Sequence, residues 1–155
     1  MKLYLVQHAA AVDKAIHPKR PLSETGLADA IKMAAYLFEA DILVERMVHS
    51  GKLRAEETAN VLSKTVWLGQ TPHVIEGLQP NDSTDRLMAL AHETHGDLMA
   101  VGHLPFMERM VARCLTGRED GAHFGFEPGT VACLERTDDG WQLNWMQRPT
   151  TLRDY

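Results

Sequence analysis

The sequence has few of the features that mark disulfide frameworks, membrane spans or nucleic-acid surfaces. It holds only two cysteines. Cys114 and Cys133 form no CxxC motif, so we expect no disulfide framework and a reducing, cytoplasmic environment. No stretch approaches the ~18 consecutive apolar residues of a membrane span, and the lysine and short apolar run at the N-terminus do not fit a signal peptide. The net charge of -5 argues against a broad basic face for nucleic acid, although it does not exclude a local positive pocket.

The remaining composition is typical of a globular protein. Hydrophobic residues make up 45% and charged residues 24% of the chain. A length of 155 residues fits one domain, spanning 1–155, with one core.

Apolar runs of strand length alternate with segments of helical periodicity. Because such alternation is typical of right-handed β-α-β crossovers, we predict an α/β fold with a mostly parallel central sheet and helices on both faces. Asp138-Asp139-Gly140 predicts a hairpin that adds an antiparallel C-terminal edge. The predicted strands are Leu3–Val6, Val44–His49, His73–Leu78, Asp97–Val101, Thr130–Glu135 and Trp141–Trp145. The predicted helices are Glu24–Ala40, Leu53–Lys64, one from the Ser83 region to Glu93, and one from Pro105 to Leu115, which Gly117 closes.

The first predicted helix has clear signals for its start and for its buried face. Ser23 is expected to cap its N-terminus. Apolar residues then recur at helical spacing, which predicts packing on the sheet. These residues are Leu27, Ile31, Ala34, Leu37 and Phe38.

Polar residues follow three of the predicted parallel strands. His8 follows the first strand, Ser50 to Arg54 follows the second, and His103 follows the fourth. Ligands of open α/β sheets bind at the carboxyl ends of the strands. We therefore expect these segments to lie together at that edge.

Four stretches carry a family resemblance, in this order: Gln7-His8-Ala9, Arg20 to Gly26, Ser50 to Thr58, and Val101 to Pro105. Together they resemble the histidine phosphatase superfamily, and most closely its SixA-type branch of short phosphohistidine phosphatases. The resemblance implies a phosphoglycerate mutase-like fold and a two-step reaction through a covalent phosphohistidine.

The residue chemistry assigns roles that fit this resemblance. A neutral imidazole is a good nucleophile near neutral pH, and we assign that role to His8. Arg54 suits phosphate because a guanidinium offers a rigid fork of donors; the alternative is a surface arginine paired with Glu57. His103 is expected to donate a hydrogen bond to the transferring group as an imidazolium.

Other phosphate contacts are left open by the sequence. Ser50 either donates its hydroxyl to phosphate or shapes the turn, and Arg20 is either a further phosphate contact or an ordinary surface arginine. Gln7 stands where the family signature has arginine. Its neutral amide offers two donors where arginine offers five and a full charge, which predicts reduced efficiency.

No proton donor, metal site or cofactor is evident. Glu76, Asp82 and Asp85 lie in the region where relatives carry a catalytic acid, but none belongs to a clear motif. His92 and His95 lack a third ligand, so we predict no metal site. The absence of a clear acid favours phosphohistidine as the substrate, since a protonated imidazole is already a good leaving group.

The sequence therefore predicts a cytoplasmic phosphatase that binds phosphate or another oxyanion and acts on a phosphohistidine-containing signalling or phosphotransfer protein. Two alternatives remain. Gln7 motivates a catalytically weak phosphate- or phosphoprotein-binding module, and the family resemblance allows a small-molecule phosphomonoesterase or mutase.

Overall fold

A six-stranded mixed sheet organises the computed structural model, which describes residues 1–154. The spatial order of its strands is β3-β2-β4-β1-β5-β6. The pairs β1–β4, β2–β4 and β2–β3 are parallel, and β5 and β6 form the antiparallel edge. The strands are β1 (Lys2–Gln7), β2 (Arg46–His49), β3 (His73–Val74), β4 (Leu98–Gly102), β5 (Val131–Thr137) and β6 (Gly140–Gln147). The helices are α1 (Glu24–Glu39), α2 (Leu53–Val66), α3 (Asp85–Glu93) and α4 (Phe106–Thr116), followed by a 3-10 turn at Pro149–Thr151.

The alternation of side chains along β1 divides the core into two layers. Leu3 and Leu5 point to one face and join the buried residues of α3 and α4. Tyr4 and Val6 point to the other face and join those of α1 and α2. The predicted fold class, with helices on both faces and an antiparallel C-terminal hairpin, is thereby confirmed. No helix within residues 1–154 has both the length and the apolar character that crossing a bilayer requires.

The third strand is shorter than the predicted segment His73–Leu78. Pairing with β2 ends at Val74, after which the Ile75 amide donates to the carbonyl of His49 at 3.1 Å. Gly77 then adopts a left-handed backbone with φ of 93°. This turn takes the chain out of the sheet and directs Leu78 into the core, where it is fully buried. Leu78 is therefore an apolar residue that packs in the core and not a residue of the strand.

Helix α1 begins as predicted but buries a different face. The Ser23 hydroxyl accepts from the Gly26 amide at 3.0 Å, which confirms the cap. The prediction of buried apolar residues is correct for Ala34 and Leu37 but wrong for three others, Leu27, Ile31 and Phe38, which are exposed. The buried face also includes Gly26, Ala30 and Met33. At its start the helix lies against the loop after β1, where the buried residue is Gly26.

The contact between α1 and this loop connects the fold to His8. The Ser23 amide donates to the carbonyl of Ala10 at 2.9 Å. A Cβ atom placed on Gly26 would lie 1.9 Å from the same carbonyl oxygen. Only glycine permits this approach of the helix to the segment that begins two residues after His8.

We predict that Gly26→Ala lowers the free energy of unfolding by about 1–3 kcal/mol, because the added methyl group overpacks the contact with Ala10. An unconstrained helical glycine would show the opposite effect, since alanine favours helix by about 1 kcal/mol. Denaturant unfolding would measure the difference.

Gly125→Ala is the matched control, because a Cβ at Gly125 would meet nothing within 4 Å. Its free energy of unfolding should stay within about 0.5 kcal/mol of the parent. A Gly26→Ala variant more stable than the parent would contradict the proposed close contact.

Candidate active site

The carboxyl ends of β1 and β4 bring two histidines together. Gln7 pairs with Gly102 at the end of the parallel ladder, and the His8 amide donates to the Gly102 carbonyl at 2.9 Å. His8 and His103 therefore leave the sheet side by side, with ring centroids 5.1 Å apart. Ser50, after β2, lies against His103. The structure thus places the three segments predicted from the sequence at one edge of the sheet.

The ring of His8 is oriented by its neighbours. Its Nδ1 lies 2.7 Å from the Ala9 carbonyl oxygen, which only accepts, so Nδ1 carries the proton. Nε2 keeps a lone pair and accepts from Arg54 Nε at 3.3 Å. Burial is the main cause that lowers the pKa of His8 to about 4; the Ala9 hydrogen bond opposes the shift, and the charges of Arg54 and Arg20 contribute to it. His8 is therefore a neutral imidazole near pH 7.

His103 is almost fully buried and is also neutral. The Ser50 hydroxyl accepts from the Lys52 amide at 3.3 Å and lies 2.7 Å from His103 Nε2. This arrangement favours donation by Ser50 to Nε2, which leaves the proton on Nδ1. Nδ1 is buried and has no hydrogen-bond partner among residues 1–154. It is therefore a donor without an acceptor inside the site.

His103 is neutral in the protein without a bound anion, so its expected imidazolium form beside the transferring group stays a prediction. Burial is the main cause that lowers the pKa of His103 to about 3, and the neighbouring His8 ring and the charges of Arg54, Lys52 and Arg20 contribute to the same shift. The sequence shows a histidine after a strand but not the cations that surround it. A phosphoryl group beside the ring would raise this pKa, since a nearby negative charge favours the protonated form.

Arg54 lies in the first turn of α2 and is held there through Thr58. The Thr58 hydroxyl donates to the Arg54 carbonyl at 2.7 Å and accepts from the Ala9 amide at 3.0 Å. The alternative pairing of Arg54 with Glu57 is not found; Glu57 instead accepts from the Leu22 amide at 3.0 Å. The guanidinium is therefore available to the site.

Arg20 belongs to the site electrostatically. Its positive charge lowers the pKa values of His8, Arg54 and His103. It is a non-glycine residue with a left-handed backbone, at φ of 51°. Its Nε donates to the Val12 carbonyl at 3.1 Å, which anchors the guanidinium and leaves its terminal nitrogens without a partner among residues 1–154. These observations favour the site over an ordinary surface position.

Gln7 occupies the position next to His8 as a buried neutral amide. The residue is 8% exposed, and its Oε1 has no hydrogen-bond partner within residues 1–154. Its main chain is fixed on both sides, because its amide donates to Thr130 and its carbonyl accepts from Gly129, each at 3.1 Å. Gln7 therefore offers the site a neutral amide for hydrogen bonding and adds no charge.

Two of the three candidate acids lie near Ser50. Glu76 and Asp82 line a cavity of about 450 Å³ together with Ser50 and Gln79. Asp85 lies outside it and forms an exposed ion pair with Arg113 at 2.6 Å. The structure therefore brings Glu76 and Asp82, but not Asp85, to the cavity that Ser50 lines.

Sequence reasoning missed three residues that shape the site. Thr58 connects α2 to the loop after His8, and Lys52 adds charge that His103 senses. Gln79 donates through Nε2 to the Ser50 carbonyl at 2.8 Å. Thr58 had a sequence signal, since it lies one helical turn after Arg54, and Lys52 lies within the predicted segment Ser50 to Arg54. Gln79 had none. Within residues 1–154, no group of three or more histidine, cysteine or acidic side chains could hold a metal ion.

The chain is similar to known proteins over nearly its whole length. No protein-family model matches the chain. Phosphohistidine phosphatase SixA of Escherichia coli (strain K12) is 27% identical over 158 residues, covering 99% of this chain and 97% of the relative. An uncharacterised protein of Picosynechococcus sp. is 31% identical over 141 residues, covering 86% of this chain and 84% of the relative.

A solved structure of the protein histidine phosphatase SixA complexed with tungstate superposes with a TM-score of 0.85 and 25% identity. The match covers 99% of this chain and 100% of the solved one. These similarities confirm the predicted enzyme class, a phosphatase. The chain belongs to the histidine phosphatase superfamily, in the SixA-type branch that its motifs indicate.

Proposed function

We propose that the protein is a phosphohistidine phosphatase that removes the phosphoryl group from a phosphorylated signalling or phosphotransfer protein. One observation carries the proposal. The neutral Nε2 of His8 accepts from the Arg54 guanidinium at 3.3 Å, and the His8 ring lies beside that of His103, whose buried Nδ1 has no acceptor within residues 1–154. A phosphoryl group bound here would meet a nucleophile, a cation and a buried donor.

In the first step, His8 Nε2 attacks the phosphorus atom of the substrate phosphohistidine. A bond forms between Nε2 and phosphorus while the bond between phosphorus and the substrate nitrogen breaks. The substrate imidazole leaves with the electron pair of that bond, as a neutral ring if it enters protonated. The Ala9 carbonyl supports the attack because it stabilises the positive charge that the His8 ring acquires.

In the second step, water attacks the phosphorus atom of phospho-His8. The bond to Nε2 breaks, its electron pair returns to His8, and inorganic phosphate leaves. The proton of the attacking water passes to phosphate or solvent. Both steps transfer the same phosphoryl group, so the same cations serve both.

Arg54 supplies the main positive charge for the equatorial oxygens of this group. Phosphoryl transfer depends largely on positioning and electrostatic stabilisation, and guanidinium groups provide both. Arg20 is proposed as the second cation, since its charge reaches both histidines and Arg54. Gln7 would contribute a neutral hydrogen bond.

Ser50 is proposed to act through His103. Its hydroxyl, 2.7 Å from Nε2, keeps the proton of the neutral ring on Nδ1, from which it can be donated to a phosphoryl oxygen. Ser50 is then a positioning residue rather than a direct phosphate ligand. As negative charge approaches, the pKa of His103 rises and the donor becomes stronger.

The choice of phosphohistidine rests on the leaving group and on the relatives. None of Glu76, Asp82 and Asp85 forms a hydrogen bond with His8 or His103. Phosphohistidine needs little help from an acid, because its imidazole can leave already protonated, whereas an alkyl phosphoester needs more. The similar Escherichia coli protein is named a phosphohistidine phosphatase, and the solved SixA protein binds the oxyanion tungstate.

The neutral amide of Gln7 favours a second candidate, a phosphohistidine-binding module with weak catalysis. A lost hydrogen bond to a charged group is worth about 1.5–3 kcal/mol, or roughly ten- to more than a hundredfold in rate. Such a protein would bind oxyanions through Arg54 and Arg20 but release phosphate slowly. Turnover of a phosphohistidine-containing protein, measured beside tungstate binding, distinguishes the two candidates.

We predict that His8→Ala abolishes hydrolysis of a phosphorylated phosphotransfer domain while tungstate still binds, because Arg54 and His103 remain. His95→Ala is the matched control, since His95 is exposed and precedes β4 at the opposite edge of the sheet. It should retain the parent rate. Parent-level turnover in His8→Ala would remove His8 from the nucleophile role.

Gln7→Arg should raise turnover by roughly tenfold or more, from the hydrogen-bond estimate above. If Arg20 already compensates for the missing arginine, Arg20→Ala will reduce the parent rate much more than it reduces the Gln7→Arg rate. Steady-state kinetics of the four proteins form a double-mutant cycle. Equal losses in both backgrounds would contradict compensation by Arg20.

The low pKa of His103 predicts lower stability in acid. The unfolded chain has a histidine pKa near 6.5, so between about pH 6.5 and pH 3 it binds a proton that the folded site resists. The His103 contribution is complete above pH 6.5 and falls by roughly 2 kcal/mol at pH 5, since each pKa unit is about 1.4 kcal/mol. His8 adds in the same direction.

Chemical denaturation at several pH values, in buffers without oxyanions, would measure this slope. His103→Asn should reduce it, while His95→Asn should keep the parent slope. The comparison uses the slope, because His103→Asn also changes stability at every pH. Parallel curves for His103→Asn and the parent would contradict the buried neutral form of His103.

A further inference from the structure

A cationic groove lies between the Pro18–Lys19 loop and the start of α2. Its cavity has a volume of about 410 Å³. It is lined by Pro18, Lys19, Gly51, Lys52, Leu53, Arg54 and Glu56. Three of these residues are cationic and one is acidic, in a chain whose net charge is -5. The groove is therefore positively charged although the protein as a whole is negatively charged.

The two lysines of this groove have no acidic partner. Within residues 1–154, neither the Lys19 nor the Lys52 side chain forms a hydrogen bond or an ion pair. Five of the 16 lysines and arginines form ion pairs among residues 1–154: Lys32 with Asp154, Arg109 with Glu119, Arg113 with Asp85, Arg118 with Asp120 and Arg148 with Glu127. The groove thus concentrates positive charge that the protein does not neutralise.

The groove continues directly into the site described above. Arg54 lines the groove and also donates to His8. The charge of Lys52 is close enough to lower the pKa of His103. Lys52 precedes the 14-residue helix α2 and makes no side-chain cap, so the positive end of the helix dipole adds to the lysine charge. An anion in the groove would lie beside a phosphoryl group on His8.

We infer that the groove is a second anion-binding subsite, which receives aspartate or glutamate carboxylates of the protein that carries the phosphohistidine. This inference rests on the proposed function for the identity of that partner. The groove presents two lysines without an acidic partner among residues 1–154, which suits a chain segment with more than one carboxylate. Lysines act as flexible point charges, which suits carboxylates of varied geometry, whereas the rigid guanidinium forks serve the phosphoryl group.

Recognition of this kind acts mainly on association with the substrate. Exposed opposite charges steer encounter and weaken as salt rises. The subsite should therefore raise kcat/KM for a partner with acidic flanks and leave the chemical step unchanged. Small phosphoramidates, which do not reach the groove, should show no such gain.

Two phosphohistidine peptides test the inference, one with glutamate flanking the histidine and one with glutamine at the same positions. The parent should prefer the acidic peptide roughly three- to tenfold in kcat/KM at low salt, as expected from two exposed ion pairs. The variant Lys19→Gln/Lys52→Gln should reduce the preference below twofold. Because Lys52 also adds charge near His103, the readout for this variant is the ratio of kcat/KM between the two peptides and not the rate on either one. The single variant Lys19→Gln should reduce the preference and keep its kcat/KM for the glutamine peptide within twofold. Raising the salt should reduce the parent preference in the same way.

The control variant Lys2→Gln/Lys64→Gln removes the same charge at a distance, since Lys2 begins β1 and Lys64 lies in the last turn of α2. It should keep the parent preference. Three results would overturn the inference: no preference in the parent, an equal loss on both peptides in Lys19→Gln/Lys52→Gln, or a preference for a small bisphosphate with none for the acidic peptide.

A binding measurement separates this inference from the proposed function. Fluorescence anisotropy of a labelled, unphosphorylated acidic peptide, with tungstate present, requires no turnover. Binding to the parent but not to Lys19→Gln/Lys52→Gln would support the subsite even if the protein hydrolysed no phosphohistidine. Equal binding to both proteins would overturn it even if hydrolysis were fast.

Discussion

The parallel pairing of β1 with β4 is the constraint on which the site depends. Its ladder ends at Gln7 and Gly102, and the hydrogen bond from the His8 amide to the Gly102 carbonyl extends it by one residue. Two histidines that are distant in sequence therefore leave the sheet at adjacent points. A shift of one residue would turn one ring to the opposite face of the sheet. The loops and α2 then bring the guanidinium groups to a pair of rings that the sheet has already positioned.

Charge and burial act together at this site. Burial and nearby cations lower the pKa values of both histidines. His8 therefore stays unprotonated at Nε2, and this nitrogen can act as the nucleophile. The same arrangement lowers the free energy of unfolding in acid. It also concentrates positive charge that a bound phosphoryl group would neutralise. Gln7 reduces this concentration by one charge compared with the family signature. Arg20, anchored to Val12, and Lys52, at the start of α2, add positive charge from two other segments.

Much of the fold was predictable because its signals are local. Apolar runs, the Ser23 cap and the Asp139-Gly140 turn depend on neighbouring residues, and they predicted the strands, the helices and the edge that holds His8 and His103. The buried face of α1 was not predictable, because it depends on the approach of Gly26 to Ala10. The early end of β3 depends on the backbone of Gly77. The protonation of His103 depends on its burial and on cations from two separate segments, one with Arg20 and one with Lys52 and Arg54.

Trapping the phosphoenzyme tests the central claim most directly. The protein would be mixed with a phosphorylated phosphotransfer domain, quenched in alkali within milliseconds, and analysed by mass spectrometry and phosphorus NMR. The Nδ1 proton of His8 is hydrogen-bonded to the Ala9 carbonyl, whereas Nε2 carries the free lone pair that faces Arg54. The account therefore predicts a single phosphoryl group on Nε2 of His8. A phosphoryl group on Nδ1 or on another residue, or phosphate release with no phosphoenzyme on any timescale, would contradict it.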